Sequence, residues 1–196
     1  MRLEAAPQEL YERHRAHGAT GKGLMIGDEW RHAGRVGIAR GMLAVLNPGS
    51  VLDVGCGYGD VSAALHPNCP YVGVDYTGWI VEAARERYPG RVFHRAPFER
   101  FHAQQIRNGG FELVLALGVL ATVPPEEAEA FCRKLADLAL RHVMLGYLDA
   151  EVYRGRLQAY RLAELDALLA PWRRITRPAH GLDDAINCTV LYELAG

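Results

Sequence analysis

The residues with the clearest chemistry lie in one short segment, where Gly55, Gly57 and Gly59 alternate with other residues directly after the run 51–54, in which three apolar residues flank Asp53. The run predicts a buried strand, and the glycines predict a tight turn before a helix that begins near Asp60. Because glycine carries no Cβ, a turn of this spacing lets the backbone approach a ligand closely. The segment therefore predicts a binding site at the end of a strand.

A second acidic residue supports this prediction. Asp75 ends another short apolar run, residues 71–74, and follows the first glycine by about twenty residues. Neighbouring strands of a doubly wound sheet lie side by side, so Asp75 is expected beside the glycine turn. A carboxylate there can accept hydrogen bonds from both hydroxyls of a ribose. A glycine turn alone is often only structural, but the two motifs together predict a site for a nucleoside-containing cofactor.

The spacing of the glycines excludes one large class of nucleotide site. The dinucleotide-binding fingerprint needs its third glycine where Asp60 stands. The pattern instead resembles motif I of the class I S-adenosylmethionine-dependent methyltransferases, and the resemblance covers roughly residues 35–194. It implies S-adenosyl-L-methionine as cofactor and S-adenosyl-L-homocysteine as product.

The resemblance also implies roles for individual residues. Gly55 and Gly57 would line the methionine part of the cofactor, and Asp53 would help to hold its amino group. Asp75 would bind the ribose hydroxyls, and Tyr76 would pack on the adenine. The full set of implied cofactor residues is Arg35, Asp53, Gly55, Gly57, Gly59, Asp75, Tyr76, Phe98, Leu117 and Gly118.

One segment departs from the family. Many members carry an Asp or Asn after the third strand that binds the adenine amino group, but here the segment is Ala96-Pro97-Phe98. We expect adenine recognition to depend on packing and on the backbone of Phe98, with slightly weaker binding. The backbone of Leu117 and Gly118 would close the site.

Two residues upstream of the first strand leave alternatives open. Trp30 and Arg35 resemble a Trp and an Arg on the leading helix of some small bacterial methyltransferases. Arg35 either pairs with the methionine carboxylate of the cofactor or is a solvated surface arginine. Trp30 either covers the site or packs on the sheet.

Catalysis itself points to no single residue. Methyl transfer from a sulfonium is an in-line displacement, so the protein supplies orientation and desolvation. A general base is needed only if the acceptor must lose a proton during transfer, and no catalytic residue is assigned. The candidates for acceptor binding are Tyr11, Trp30, Tyr147 and His180. The N-terminal arm and residues 148–156 are expected to cover the acceptor.

The absence of one motif after the fourth predicted strand bears on the type of acceptor. Enzymes that methylate the amines of bases or glutamine amides usually carry Asn/Asp-Pro-Pro-Tyr/Phe after the fourth strand, whereas residues 116–122 read ALGVLAT. The sequence therefore predicts a small-molecule acceptor. A protein or RNA acceptor, and a non-catalytic binding subunit with the same fold, are the alternatives.

These residues must be positioned by alternating strands and helices, which predict an α/β fold. The expected architecture is a doubly wound, Rossmann-like methyltransferase sandwich, with a mostly parallel seven-stranded sheet and an antiparallel last strand. The predicted strands are 50–54, 71–74, 91–94, 111–117, 142–147, 172–176 and 187–194. The predicted helices are 28–46, 61–65, 79–88, 99–107, one that opens at 124 and one that ends near 170. Residues 1–27 are expected to form an arm or lid, and residues 28–196 a single domain.

Composition is ordinary for a soluble protein. The chain has 196 residues and a formal net charge of −1, which does not favour nucleic acid as a partner. Its apolar runs are far shorter than the roughly 20 residues of a membrane span, and its N-terminus does not resemble a signal peptide. The four cysteines form no Cys-x-x-Cys pair, which predicts reduced thiols in the cytoplasm and no metal site.

Overall fold

The computed structural model describes residues 12–18, 20, 29–102, 109–155, 157–181 and 184–194, with only the backbone of residues 184 and 185. A single sheet runs through this part of the chain. Its strands are β1 (Val51–Val54), β2 (Tyr71–Asp75), β3 (Val92–Arg95), β4 (Phe111–Ala116), β5 (Ala139–Leu148), β6 (Arg173–Arg174), β7 (Ala179–Gly181) and β8 (Asp184–Glu193).

The strand order is β3-β2-β1-β4-β5-β8-β6, with β7 paired to β8. The first five strands pair in parallel, whereas β8 is antiparallel to β5, β6 and β7. The predicted mostly parallel sheet with an antiparallel last strand is therefore confirmed. β7 is an eighth strand within the segment that was predicted to be a loop around Gly181.

In the part of the chain from residue 29 onward that the structure describes, the helices that flank the sheet are α1 (Glu29–Leu46), α2 (Gly78–Arg87), α3 (Ala128–Leu138) and α4 (Leu162–Leu168). Leu43 of α1 belongs to one core cluster together with Val51 of β1, and Leu135 of α3 belongs to a second cluster together with Leu52 of β1. Because successive side chains of a strand point to opposite faces, β1 contributes to both layers. All four of its residues are buried, as is typical of a parallel strand covered on both sides.

Three predicted helices differ in detail. The helix expected at 61–65 is a 3₁₀ helix, Asp60–Ala64. The helix expected at 99–107 is a 3₁₀ turn, Phe98–Arg100, because the backbone of Phe101 turns to an extended conformation and its ring is buried in the core; residues 103–108 lie outside the described part. The helix expected to open at 124 begins with a 3₁₀ turn at Pro125–Glu127.

No helix in the described residues is both long and apolar enough to cross a membrane. The described part of the chain also lacks any group of three or more His, Cys, Asp or Glu side chains arranged to hold a metal ion.

Candidate functional site

A cavity of about 770 Å³ opens at the carboxyl ends of the parallel strands. Its wall combines α1 with the turn after β1, the end of β2, the loops after β3, β4 and β5, and part of β8. Ligands of doubly wound sheets bind at this edge. A second, more open groove of about 940 Å³ lies between α3 and α4, away from the glycine turn.

The glycine turn forms the floor of the cavity. Gly55 and Gly57 have φ angles of 67° and 53°, a region that residues with a Cβ rarely adopt. A Cβ on Gly55 would also lie 2.2 Å from Cγ2 of Val119. Gly59 has a φ of 73° but lies outside the cavity wall, where a Cβ would meet the ring of Phe93 at 2.6 Å. Gly59 therefore shapes the turn rather than the cavity surface.

Asp75 lies at the end of β2, and its carboxylate is tied to the glycine turn. Oδ2 accepts a hydrogen bond from the Gly57 amide at 3.3 Å, and Oδ1 accepts one from the Thr77 amide at 2.9 Å. Burial raises the pKa of Asp75 above its ordinary value, while these amides oppose the shift. The arrangement presents a half-buried carboxylate to the cavity beside Tyr76.

Asp53 is more deeply placed, with 2% of its surface exposed. Its Oδ2 accepts a hydrogen bond from the Tyr71 hydroxyl at 2.8 Å. Burial raises the pKa of Asp53 to about 7, and the nearby charges of Asp75 and Asp60 add to the increase, whereas the bond from Tyr71 opposes it. A cation bound beside Asp53 would oppose this shift, because an opposite charge favours the ionised carboxylate.

Asp60 was predicted only as the start of a helix, yet it also lines the cavity and is a contact hub. Oδ2 lies 2.8 Å from Nε2 of His32, while Oδ1 accepts hydrogen bonds from Arg87 at 2.7 Å and from the Tyr88 hydroxyl at 2.9 Å. Burial acts to raise the pKa of Asp60, but bonds from His32 and Tyr88 and the charge of Arg87 outweigh it and lower the pKa to about 2. These contacts fasten α1 and α2 to the glycine turn.

Arg35 is half-buried and lines the cavity, which does not match the alternative of a solvated surface arginine. Its Nη2 donates a hydrogen bond to Oδ1 of Asn187 at 3.1 Å. Gly118 has a φ of 79°, and a Cβ there would lie 2.2 Å from Nη1 of Arg35. Leu117 and Gly118 both line the cavity, so the turn after β4 and the guanidinium share one wall.

Phe98 bounds the same cavity near Tyr76 and Pro97. Its ring packs against Phe131 with the centroids 5.4 Å apart. Its carbonyl oxygen already accepts hydrogen bonds from the Phe101 amide and from Nζ of Lys134. The expected recognition through the backbone of Phe98 is therefore unsupported at this carbonyl, and the ring is its clearest contribution to the wall.

The residues predicted for acceptor binding are not brought together. Trp30 is 46% exposed, stacks on the Arg31 guanidinium and neither lines the cavity nor packs in the core. Tyr147 is 3% exposed because the alternation of β5 points it into the core rather than the cavity. His180 is exposed on β7, with Nδ1 3.1 Å from the Gly181 carbonyl oxygen. Tyr11 lies outside the described residues.

The segment after β5 does reach the cavity. Leu148, Tyr153 and Leu157 line it, together with Ile186 and Asn187 of β8. Tyr153 and Asn187 were not predicted, because their approach depends on how the last strand pairs with β5. The only signal in the sequence was the short length of the segment after β5, which had been expected to cover the acceptor.

Comparison with known proteins finds one family model that matches part of the chain and solved structures that share its fold. Residues 51–141 match the family model described as a methyltransferase domain. No curated protein matches the chain.

Solved structures share the fold at low sequence identity. Magnesium protoporphyrin IX methyltransferase from Synechocystis PCC 6803, with bound S-adenosylmethionine, is 20% identical over 83% of this chain and 81% of its own, with a TM-score of 0.69. The N-methyltransferase NodS from Bradyrhizobium japonicum WM9, in complex with S-adenosylhomocysteine, is 15% identical over 95% and 97%, with a TM-score of 0.75. A TehB-like S-adenosylmethionine-dependent methyltransferase from Corynebacterium glutamicum is 13% identical over 94% and 96%, with a TM-score of 0.63.

Proposed function

We propose that this chain, whose residues 51–141 match a methyltransferase domain, is a class I methyltransferase that transfers a methyl group from S-adenosyl-L-methionine to a small-molecule acceptor. The observation that carries the proposal is the half-buried carboxylate of Asp75, which lines a 770 Å³ cavity and accepts a hydrogen bond from the Gly57 amide. This pairing places a diol-binding group next to backbone that a ligand can approach closely.

The residues around the cavity suit the charges of this cofactor. Asp53 offers a carboxylate for the ammonium of the methionine part, and Arg35 offers a guanidinium for its carboxylate. Gly55 keeps the floor open, because a Cβ there would project toward Val119. Asp75 would accept from the ribose hydroxyls, and the Tyr76 and Phe98 side chains would flank the adenine.

When bound, the cofactor would supply a methyl group on a sulfonium: a lone pair of the acceptor would form a bond to the methyl carbon as the C–S bond breaks, and the C–S electrons would stay on sulfur to give S-adenosylhomocysteine. The protein contributes orientation and exclusion of water. Arg35 and Asp53 would hold the methionine end of the cofactor. The part of the cavity wall that contains Val119 and Leu157 would hold the acceptor. A proton released by the acceptor can pass to water at the mouth of the cavity.

A small acceptor is supported by the shape and lining of the cavity. The β5 side of its wall is formed mainly by apolar residues, among them Val123, Leu148, Leu157 and Ile186. The net charge of −1 provides no general attraction for nucleic acid. Among the structures with the same fold, magnesium protoporphyrin IX methyltransferase is named for a small-molecule substrate.

We also propose that residues 1–27 form an arm that covers the site of a single domain, residues 28–196. In support, the Tyr58 hydroxyl inside the glycine motif donates a hydrogen bond to the Gly18 carbonyl at 2.8 Å. We further propose a reducing, cytoplasmic environment, which suits the absence of a disulfide bond from the described cysteines.

The test is calorimetric titration of S-adenosylhomocysteine into the wild type, Asp75→Ala and Asp137→Ala. Asp137 is exposed on α3 and controls for the loss of a carboxylate. We expect about micromolar binding by the wild type and by Asp137→Ala, and binding weaker by about 10- to 100-fold in Asp75→Ala, since two hydrogen bonds to a charged acceptor are lost. A wild type that does not bind would overturn the proposal.

A further inference from the structure

The part of the cavity next to β5 has a distinct lining, and we call it the acceptor lobe. It is formed by Val123, Leu148, Tyr153, Leu157 and Ile186. It lies across the cavity from Asp75 and Tyr76, because β4 and β5 follow β1 on the side of the sheet opposite to β2. A ligand in this lobe would therefore sit beside the methionine end of the cofactor rather than its adenine.

We propose that the methyl acceptor is a neutral, largely apolar molecule whose polar group accepts a hydrogen bond from the Tyr153 hydroxyl. This inference rests on the proposed function, and it names the chemical class of the acceptor and the residue that orients it.

The charges around the lobe disfavour an anionic acceptor. Within the described residues, the basic side chains that line the cavity, those of Arg31, His32 and Arg35, all lie on α1. Arg35 is engaged by Asn187 and faces the methionine carboxylate in the proposed complex. The carboxylate of Glu127 lines the rim of the cavity, so a second anion would be repelled rather than paired.

The lobe and its border contain few polar side-chain groups, and most of these already make hydrogen bonds within the protein. The Thr122 hydroxyl donates to the Val119 carbonyl at 2.8 Å. The Tyr153 hydroxyl accepts from the Leu157 amide at 3.1 Å, and no described residue accepts its proton in turn. A tyrosine hydroxyl is both donor and acceptor, so Tyr153 retains one donor for a ligand.

Local structure holds this hydroxyl in place. A Cβ on Gly155 would lie 2.0 Å from the Tyr153 oxygen, so only glycine leaves room for the ring as it stands. The Tyr153 amide donates to the Asp149 carbonyl at 2.7 Å. The Arg154 guanidinium donates to the carbonyls of Ala150, Glu151 and Tyr153 at 2.7–2.9 Å, which ties the loop to itself.

Such a loop presents its donor without ordering on binding, which favours affinity and correct alignment. The cost of removing the donor should therefore appear in acceptor binding and not in cofactor binding.

The experiment measures binding of naphthol and of the matched hydroxynaphthoate to protein saturated with S-adenosylhomocysteine. The variants are Tyr153→Phe, Gly155→Ala and the control Tyr160→Phe, since no described residue hydrogen-bonds the buried Tyr160 hydroxyl and Tyr160 lies outside this cavity. We expect the wild type to bind naphthol at least about 10-fold more tightly than hydroxynaphthoate. Naphthol binding should weaken about 3- to 10-fold in Tyr153→Phe and more in Gly155→Ala, and stay unchanged in Tyr160→Phe.

Equal or tighter binding of the anionic probe, failure to bind naphthol, or an unchanged affinity in Tyr153→Phe would each overturn the inference. The titration with S-adenosylhomocysteine under the proposed function distinguishes a failure of that function from a failure of the inference about the acceptor. If that ligand does not bind, the proposed function has failed; if it binds and the naphthol results do not follow, only the nature of the acceptor is wrong.

Discussion

The Arg35 guanidinium donates a hydrogen bond to the Asn187 side chain at 3.1 Å, which joins the first described α-helix to the last strand across the mouth of the cavity. The two residues are 152 positions apart in the chain. Close packing of α1 against β7, the strand that pairs with β8, supports the contact, since a Cβ on Gly34 of α1 would lie 3.7 Å from Cα of Gly181 on β7. The Arg35 guanidinium, which lines the cavity, is therefore held in position by a residue of β8.

We predict that Asn187→Ala weakens S-adenosylhomocysteine binding by about 3- to 10-fold, because Arg35 loses a partner that orients it. Arg35→Ala should weaken binding more. The double variant should be no weaker than Arg35→Ala alone, because Asn187 acts through Arg35. Asn68→Ala, in an exposed turn, is the control. Fully additive losses measured by calorimetry would show that the two side chains act independently.

Gly118→Ala should impair cofactor binding more than it impairs folding. The φ of 79° costs any residue with a Cβ about 1–2 kcal/mol, and the new methyl would also displace Arg35, whose Nη1 lies 2.2 Å from its position. Gly109→Ala separates the two effects, since Gly109 has a φ of 87° with nothing within 4 Å of its Cβ. We expect similar losses of stability by urea denaturation, and a loss of S-adenosylhomocysteine affinity in Gly118→Ala alone.

Local motifs were predicted well from the sequence. The turn at Gly55 and Gly57 and the position of Asp75 depend on one strand-turn segment and on the pairing of β1 with β2, which a doubly wound order fixes. The mostly parallel sheet with an antiparallel last strand followed from the alternation of elements and from the resemblance to a known family.

Contacts between distant elements were missed. The hub at Asp60 joins α1, the glycine turn and α2, and no spacing along the chain indicates that His32 and Arg87 converge on it. Tyr147 was placed in the cavity because it lies near the end of β5, but a shift of one residue along a strand reverses the face, and Leu148 is the residue that lines the cavity. Asn187 reaches the cavity through the pairing of β5 with β8, and Tyr153 reaches it through the loop that follows β5.

We predict that Asp53 makes the protein less stable as pH rises from about 4 to 7. Burial raises the pKa of Asp53 to about 7 in the folded state, compared with about 4 in the unfolded chain, so between these values the folded state binds more protons. Asp53→Asn keeps an acceptor for the Tyr71 hydroxyl but cannot ionise. The free energy of unfolding of Asp53→Asn minus that of the wild type should therefore be about 2–3 kcal/mol larger at pH 8 than at pH 5.

Urea denaturation at the two pH values measures this difference. Asp137→Asn, on the exposed face of α3, should follow the wild type at both. Parallel profiles for Asp53→Asn and the wild type would mean that the Asp53 carboxyl is already ionised at pH 5 in the folded protein.

Among the described arginines near the surface, we expect the replacement of Arg91 to lower the free energy of unfolding most. Its guanidinium donates to five carbonyls of the segment that follows the glycine turn, those of Ser62, Leu65, His66, Pro67 and Cys69, at 2.8–3.4 Å. Arg91→Met retains the aliphatic stem but leaves these acceptors without a charged donor, so we expect a loss of about 2–4 kcal/mol in urea denaturation. Arg133→Met breaks only the exposed pair with Glu129 and should cost less than about 0.5 kcal/mol. Equal stabilities of the two variants would mean that water replaces Arg91 at these carbonyls without penalty.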